Sequence, residues 1–575
     1  MFSTKWPVVA AAGLAALLLS PAPARLQAQP TDPCAAATAV AGATAVRAPQ
    51  NRETKRGGFG ADSRDIRDLL QLESVASQAR SRAASTAARP TADRDDNNIA
   101  ILEDQGGDLI LRANPFDLAN AGLRFEPAGA GYAVSGTGAG FRAALGHSLI
   151  LGDDDSTAQA LSAPFTFYGR RFTSLFVNSD GNLTFGEGDT ASTERGLERL
   201  ASGAPRIAPF FADLDPSAGG RVFIDSAPDA TTVTWCAVPG FDLPQTVTVQ
   251  AVLFVNGAVE FRYGPTGLTN GIVGLSPGAA QSVTTIDLHP SGGRVTEPVA
   301  IGELFASTSS LNLVAASRRF YQSHADNYDQ LVFWTDTTVV TDAFAFQSLV
   351  KNAITGTGLE VVDFASSLGS SGSLQSVINM DRISKYPDAP AAKLFGENST
   401  LGILAHETGH RWLARLEFLD VNRRVSDQLL GRQRSHWSFF TDSDGSVMEG
   451  NEIEDLGGGV FRTASATEKY SRLDLYAMGL ATEVEVPRWF YVDAPISSQA
   501  RESAPLVGTV INGSRRDVLI QDVIDALGPR VPAAADSTRL HRQAYIFVRR
   551  ATATLNPQDL TRLARIREQF GPFFS

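Results

Sequence analysis

The sequence predicts a multidomain protein with an N-terminal all-β, sandwich-like domain followed by a C-terminal domain of α+β structure. Short strands of alternating polarity, separated by Gly, Asn, Asp and Pro turns, fill residues 99–304. From about residue 305, short apolar strands alternate with segments of helical spacing. At 575 residues the chain is also too long for a single hydrophobic core.

The first 28 residues have the composition of an export signal. Lys5 supplies positive charge, residues 8–19 form an apolar run, and residues 22–24 offer a cleavage site of small residues. The apolar run is shorter than the roughly 20 residues that a membrane-spanning helix needs, and no later stretch qualifies. We therefore expect a signal peptide at 1–28, a secreted protein (extracellular or periplasmic), and no membrane span.

The net charge limits the classes of binding partner, and the cysteine count limits the number of disulfides. The net charge of −12 argues against nucleic acid and anionic membranes as the main partners, because both need a basic surface. Cys34 and Cys236 are the only cysteines, so at most one disulfide can form. Paired and unpaired thiols both remain open at this point.

Residues 29–100 have few large apolar side chains and many Ala, Arg, Ser and Thr residues. This composition predicts a largely disordered segment. Within it, residues 62–82 have the spacing of an amphipathic helix. Two interpretations stay open, a linker and a pro-segment that is removed.

Residues 101–304 are predicted as the β-rich domain. The turns at residues 179–182 and 256–257 contain Asp-Gly and Asn-Gly, which are strong hairpin signals. Acidic clusters at residues 153–155 and at Asp213 and Asp215 offer oxygen ligands for Ca²⁺. Carboxylates that simply stabilise turns are the other interpretation.

The β-rich region carries several separated motifs in a fixed order: FTFYGRRFTSLFVNSDGNLTFG, RIAPFFADLDPSAGG, TTVTWCAVPGF and GIVGLSPG. Over residues 148–278 these motifs resemble an extracellular nidogen-like (NIDO) domain. The resemblance implies an adhesion or matrix-type module with an extracellular ligand, and it does not identify that ligand.

The sequence TLGILAHETGHRWLARLEF at residues 400–418 contains an H-E-x-x-H motif formed by His406, Glu407 and His410. Without an interrupting Pro, the segment predicts one continuous helix. On a helix the two imidazoles lie one turn apart on one face and can bind one Zn²⁺. Glu407, between them, is the expected general base for a metal-bound water. Apolar residues on both sides of the motif argue against a chance match on a solvated helix.

The segments before this motif are predicted as a strand at 329–334, a helix at 344–354 and a strand at 374–380. Their order resembles the upper half of a zincin metallopeptidase domain, in which the strand before the metal-binding helix binds extended peptide. The motifs HETGHRW, HWSFF, SVMEGN and YSRLDLYAMGL resemble a bacterial-type family of secreted H-E-x-x-H proteins. The resemblance implies a zincin-like metallopeptidase domain at 305–575.

A catalytic zinc needs a third protein ligand. The metzincin extension of the motif is absent, so this ligand must come from a later segment. His436 is favoured, because three of the seven histidines lie between residues 406 and 436. Asp474, on a predicted helix, is the alternative ligand. Glu449 and Glu452 lie in a Gly-rich hairpin and are less well placed.

The resulting hypothesis is a secreted zinc endopeptidase that acts on protein or peptide substrates. Zinc would activate a water, and Glu407 would accept its proton. Tyr470, Tyr476 or, if it is not a ligand, His436 would stabilise the oxyanion. The alternative is a non-catalytic adhesion or matrix-binding protein whose metal site is structural or vestigial. The intact Glu407 favours the enzyme.

Overall fold

The computed structural model describes residues 33–34, 63–82, 93–138, 140–192, 195–288, 293–340 and 343–575. The predicted signal peptide and most of the segment at 29–100 lie outside these residues. In the described chain the α-helices are α1 Ile66–Arg82, α2 Leu197–Ser202, α3 Leu313–Tyr321, α4 Thr400–Gly409, α5 Arg472–Met478, α6 Ile520–Leu527 and α7 Pro557–Phe574.

The strands of the N-terminal half are β1 Arg94–Asp96, β2 Ile99–Asp104, β3 Ile110–Leu111, β4 Gly122–Ala128, β5 Gly131–Thr137, β6 His147–Leu149, β7 Ser156–Phe167, β8 Arg170–Asn178, β9 Asn182–Thr184, β10 Arg206–Phe211, β11 Arg221–Ser226, β12 Ala230–Pro239, β13 Thr246–Phe254, β14 Val259–Thr266, β15 Gly271–Ser276, β16 Val283–Thr285, β17 Gly293–Val295, β18 Ala300–Phe305 and β19 Ser310–Leu311.

The strands of the C-terminal half are β20 Gln330–Thr335, β21 Phe346–Leu349, β22 Lys351–Asn352, β23 Val362–Asp363, β24 Ser376–Arg382, β25 Lys393–Phe395, β26 Asn398–Ser399, β27 Phe418–Leu419, β28 Val425–Ser426, β29 Thr441–Asp442, β30 Glu452–Gly457, β31 Val460–Ser465, β32 Trp489–Ile496, β33 Val510–Val518 and β34 Gln543–Arg550.

Two large sheets form a β-sandwich in the N-terminal half. One has the strand order β17-β5-β4-β14-β13-β12-β11-β6, and the other has the order β16-β18-β15-β10-β9-β8-β7. Their inner faces share one core, to which Phe125 and Trp235 contribute from the first sheet and Val177 and Phe210 from the second. The Trp235 indole N–H donates to the Asn178 carbonyl at 3.2 Å and so ties the two sheets together. The predicted β-rich structure of this region is therefore present.

The two predicted hairpin turns are both present. Asn178 pairs with Asn182 across the turn between β8 and β9. Gly181 in this turn has a φ of +65°, and a Cβ there would lie 2.1 Å from the Phe210 carbonyl oxygen, so only Gly fits. The second turn, with Gly257 at a φ of +87°, joins β13 and β14. The Asp-Gly and Asn-Gly dipeptides therefore predicted both hairpin turns correctly.

An arginine pair beside the sandwich surrounds the carboxylate of Asp189. Arg199 donates to it at 2.6 Å and Arg206 at 2.7 Å. Burial opposes ionisation of this carboxyl, but the two guanidinium groups outweigh burial and lower its pKa to about 2. The ionised form of Asp189 is therefore favoured by folding.

Replacing Asp189 with Asn should remove a pH-dependent part of the stability. Because the folded-state pKa lies below its ordinary value of 3.8, the carboxylate stabilises the fold above about pH 4. This contribution is lost as pH falls toward about 2. Urea denaturation at several pH values should show the wild-type advantage over D189N shrinking by about 2 kcal/mol between pH 5 and pH 2. An advantage that stays constant over this range would contradict the assignment.

The C-terminal half contains a six-stranded sheet with the order β1-β2-β34-β20-β24-β21. The four strands β2, β34, β20 and β24 are parallel, and the edge strand β21 is antiparallel to β24. Helices α4 and α7 pack on one face through residues such as Leu404 and Ile566. Helices α1 and α3 cover the other face through Ile66 and Phe320. Residues 99–104, predicted near the start of the β-rich domain, pair here with β34.

A second, antiparallel sheet of five strands follows, with the order β29-β32-β33-β31-β30. It packs its own core around Phe439, Phe461 and Phe490. The long connection between α4 and this sheet carries His436. This connection therefore links α4, which packs on the six-stranded sheet, to the five-stranded sheet.

The predicted fold class, which combined the β domain with an α+β zincin-like metallopeptidase domain, is wrong. The described chain is mostly β, with 39% strand and 18% helix arranged as eight sheets and seven helices. Residues 344–354, predicted as a helix, contain the strand Phe346–Leu349 instead. This segment pairs with β24 and is largely buried, and that pairing outweighs its local helical spacing.

The predicted continuous helix at 400–418 ends at Gly409. The next residues form a turn that is still anchored to the helix, because the Leu413 N–H donates to the Gly409 carbonyl at 2.9 Å. Beyond it, Leu413 and Leu416 enter a different core together with Trp437 and Met448. Because Leu413 and Leu416 are buried in this second core, the chain leaves the direction of the helix after Gly409.

Helix α1 confirms the amphipathic helix predicted at 62–82. The side-chain amide of Gln71 donates to the Gln281 carbonyl and accepts from the Val283 N–H, so it pairs with the backbone next to and within β16. Toward the C-terminal half, Arg67 forms an ion pair with Glu360 at 2.6 Å. The helix therefore contacts both halves of the protein.

Cys34 and Cys236 form a disulfide, with their Cα atoms 5.3 Å apart. The bond joins the N-terminal segment to β12 of the sandwich. Among the helices of the described residues, none combines the length and the apolar content that crossing a bilayer requires.

Candidate metal centre

The H-E-x-x-H motif lies on α4, a helix that is buried along its whole length. The Ser399 side chain caps its start by accepting from the Gly402 N–H at 3.1 Å. Ile403 and Leu404 anchor the helix on the six-stranded sheet. This packing holds the polar residues of the motif inside the protein.

Three imidazoles converge at one point. His406 comes from α4, His410 is the residue that caps the C-terminus of α4, and His436 comes from the connection that follows. The Nε2 atom of His406 lies 3.1 Å from that of His410 and 3.2 Å from that of His436. A tetrahedral Zn²⁺ with nitrogen ligands at 2.0–2.1 Å places those nitrogens about 3.3 Å apart. The two distances from His406 are close to this value, and all three donor atoms lie within 4.8 Å of one another, so the three side chains could hold one zinc ion.

Backbone carbonyls orient two of these rings. The Nδ1 of His406 lies 2.8 Å from the Val447 carbonyl oxygen, and the Nδ1 of His436 lies 2.7 Å from the Arg432 carbonyl oxygen. A carbonyl can only accept, so each Nδ1 carries the proton and each Nε2 keeps its lone pair. Metal-binding histidines commonly have this arrangement. For His406 and His436 the Nε2 lone pair therefore faces the point of convergence, and the Arg432 guanidinium lies 3.1 Å from the Nε2 of His436.

Glu407 is fully buried on the same helix and is not among the three converging donors. Its charge acts on Lys385 and Tyr386, which follow β24. Burial lowers the pKa of Lys385, and the neighbouring carboxylate of Asp381 opposes that change. Glu407 therefore follows His406 on the helix without being a member of the converging donor group.

Asp474, the alternative third ligand, has a different position. Its carboxylate accepts from the Trp437 indole N–H at 2.9 Å and from the Ser471 N–H at 2.7 Å, where it caps α5. Burial raises its pKa, and hydrogen bonds from Ser446, Ser471 and Trp437 oppose that rise. Asp474 thus contacts Trp437, the residue that follows His436 in the chain, and is not a member of the converging donor group.

The two glutamates considered as weaker candidates also lie outside the donor set. Glu449 accepts from Arg432, with Oε1 at 2.9 Å from Nη2. Glu452 is exposed and accepts from the Ser465 hydroxyl. Neither carboxylate is part of the group that could hold a metal among the described residues.

The two tyrosines considered as oxyanion donors hydrogen-bond to the backbone. The Tyr470 hydroxyl donates to the Ala405 carbonyl on α4, and burial raises the pKa of this phenol. The Tyr476 hydroxyl accepts from the Arg530 N–H at 3.3 Å. Tyr470 therefore supports the helix, and Tyr476 supports the segment around Arg530.

The segment Ser446-Val447-Met448 lies beside α4. Met448 is fully buried, and its sulfur lies 2.6 Å from where a Cβ would stand at Gly409. The small Gly409 therefore allows this segment to approach closely. The approach puts the Val447 carbonyl within reach of His406.

A buried charged pair that the sequence did not predict lies next to the histidines. The Arg432 Nη2 lies 3.1 Å from the Nε2 of His436, and the guanidinium also pairs with Glu449. Both side chains are buried. Gln433 and Glu449 have φ values of +55° and +59°, so tight turns bring the pair together. The only sequence signal was an Arg four residues before His436, and without a helix that spacing predicts nothing.

The acidic residues proposed for Ca²⁺ are grouped around an arginine. Asp153, Asp154 and Asp213 lie close together, and Arg195 pairs with Asp213 at 2.9 Å. The same guanidinium donates to Asp154 and, at 2.7 Å, to Asp180. These three carboxylates are close enough together to hold a metal ion, and Arg195 already supplies positive charge to the cluster, so calcium binding here stays a prediction.

Two other carboxylates of that prediction have turn roles. Asp215 accepts from the Ser217 N–H at 2.8 Å. Asp155 accepts from the N–H groups of Gly152 and Ser156. Both contacts agree with the second interpretation of these residues, stabilisation of turns.

Comparison with known proteins finds a match for the sandwich. Residues 131–321 match a family model described as NIDO related. The match includes the motifs at 148–278 and confirms the nidogen-like prediction for this part of the chain. No curated protein and no solved structure matches the chain.

Proposed function

We propose that the protein is a secreted zinc-dependent endopeptidase that hydrolyses peptide bonds with a metal-activated water and Glu407 as general base. The observation that carries the proposal is the convergence of three buried imidazole Nε2 atoms at coordination spacing. Glu407, between two of these residues in the sequence, gives the site a base that a purely structural zinc site does not need.

His406, His410 and His436 would hold the zinc. When bound, the ion supplies Lewis acidity, which lowers the pKa of a bound water and polarises the scissile carbonyl. Glu407 takes a proton from the attacking water as the water oxygen bonds to the carbonyl carbon. It then delivers that proton to the amine nitrogen as the C–N bond breaks. The carbonyls of Val447 and Arg432 keep two of the imidazoles aligned.

Export of the protein is supported by two independent features. The NIDO-related match covers a type of domain that occurs outside cells. The Cys34–Cys236 disulfide forms readily in oxidising compartments and is rare in the cytosol. Both features agree with the signal peptide predicted at 1–28.

The second candidate function is extracellular adhesion or matrix binding with a structural or vestigial metal site. The NIDO-related match over residues 131–321 is the observation that favours it. In that case the protein would bind zinc without cleaving peptides.

A chelation experiment separates the two functions. Purified protein should cleave fluorescein-labelled casein, and 1,10-phenanthroline should reduce the rate at least about 100-fold because activation of the water depends on zinc. Added zinc should restore activity, and the non-chelating 1,7-phenanthroline serves as control. Zinc-loaded protein that cleaves neither casein nor a peptide library would support adhesion instead.

A further inference from the structure

The described residues line a cavity of about 500 Å³ that is partly open to solvent and lies between the two halves of the protein. Phe211 and Asn270 of the sandwich line one side, and Leu69 and Leu72 of α1 line another. The volume falls within the range of about 300–1,000 Å³ that is usual for ligand-binding sites.

The cavity reaches the candidate metal centre through one residue. Arg432 lines the cavity, and its Nη2 lies 3.1 Å from the Nε2 of His436. His410 and His436 are themselves only 3% and 0% exposed, so a substrate needs a path to them. The four residues of the candidate site do not line the cavity, and the buried side chain of Arg432, paired with Glu449, lies between the cavity and His436.

The lining of the cavity has a mixed chemistry. Its charged members are three arginines and three carboxylates, Arg64, Arg195, Arg432, Asp68, Asp213 and Glu502. Equal charge of both signs disfavours a polyanion, and a purely apolar ligand would leave these groups desolvated. Leu72 and Phe211 add apolar surface. A polypeptide, with backbone amides and side chains of different polarity, matches this lining best.

We infer that this cavity is an accessory part of the substrate cleft, separated from the histidines by Arg432, that it binds a polypeptide segment of mixed polarity, and that the nidogen-like domain forms one of its walls. The inference rests on the proposed peptidase function. It gives the sandwich a role in substrate recognition by the enzyme, in addition to any separate ligand. The Arg432 side chain then marks the end of the cleft nearest the histidines.

Filling the cavity should weaken peptide binding. Ser309 lines the cavity, whereas Ser307 is exposed and outside the lining, so Ser309→Trp has a matched control in Ser307→Trp. Both are made in zinc-loaded protein carrying Glu407→Gln, and binding of fluorescein-labelled casein is measured by anisotropy. S309W should raise the Kd at least about tenfold, and S307W should stay within about twofold. Zinc content should be equal in both.

The same substitutions are made without the Glu407 change to measure cleavage. S309W should lower kcat/KM in proportion to its loss of binding. If S309W does not fold, Leu72→Trp fills the cavity from another lining residue, on α1. Casein that fails to bind, or that binds S309W as well as S307W, would overturn the inference.

The experiments distinguish an error in the inference about the cleft from an error in the proposed peptidase function. Casein cleavage that is insensitive to both cavity-filling substitutions would leave the peptidase standing and remove the cleft. Binding that is sensitive to S309W, in a protein that cleaves nothing, would keep the cleft and remove the peptidase.

Discussion

Glu407→Gln should abolish most peptide cleavage while leaving zinc binding intact. Gln has nearly the same shape but cannot accept the water proton, so kcat/KM should fall by about 10²–10⁴-fold. Zinc affinity should change little, because Glu407 is outside the three converging donors. The measurements are casein cleavage rates and zinc content of the purified variant.

Glu483→Gln is the matched control for this prediction. Glu483 is exposed and away from the histidine cluster, so its replacement should leave both cleavage and zinc content at the parental level. A Glu407→Gln protein that cleaves casein at the parental rate would show that this carboxylate is not the base.

Local sequence patterns predicted the parts of the fold whose structure is set locally. Alternating strands with Asp-Gly and Asn-Gly turns gave the sandwich, because those turns demand the backbone that they adopt at Gly181 and Gly257. The spacing of His406 and His410 placed both imidazoles on one helix face. In each case the deciding interactions are within a few residues of one another.

Elements set by distant contacts were predicted poorly. The segment at 344–354 has helical spacing, yet Phe346 and Gln347 are buried in pairing with β24. The α+β zincin-like fold class failed for the same reason, since strand pairing across the chain is invisible to local periodicity. The early end of α4 at Gly409 likewise depends on the core that receives Leu413.

The sequence alone could not decide which residue is the third member of the histidine cluster. His436 and Asp474 both had sound local arguments, and only tertiary packing separates them. Asp474 caps α5 and holds Trp437, whereas His436 reaches the other two imidazoles. The pair of Arg432 and Glu449 was missed because two tight turns create it.

His436→Ala and Asp474→Asn should therefore affect zinc in different ways. Removing the His436 imidazole deletes one of three nitrogen donors, and the zinc Kd should rise more than about 100-fold, beyond the range of a supporting contact. Asp474→Asn should raise it no more than about tenfold, because that side chain touches Trp437 instead of the point of convergence. Its main effect should be a loss of stability of about 1 kcal/mol at the capped helix.

Zinc titration calorimetry on the metal-stripped parent protein and these two variants is the most direct test of a three-histidine centre. We expect one zinc per parent chain, nearly normal binding by Asp474→Asn, and a large loss of affinity in His436→Ala. Parental affinity in His436→Ala, or a parent protein that binds no stoichiometric zinc, would contradict the proposed centre.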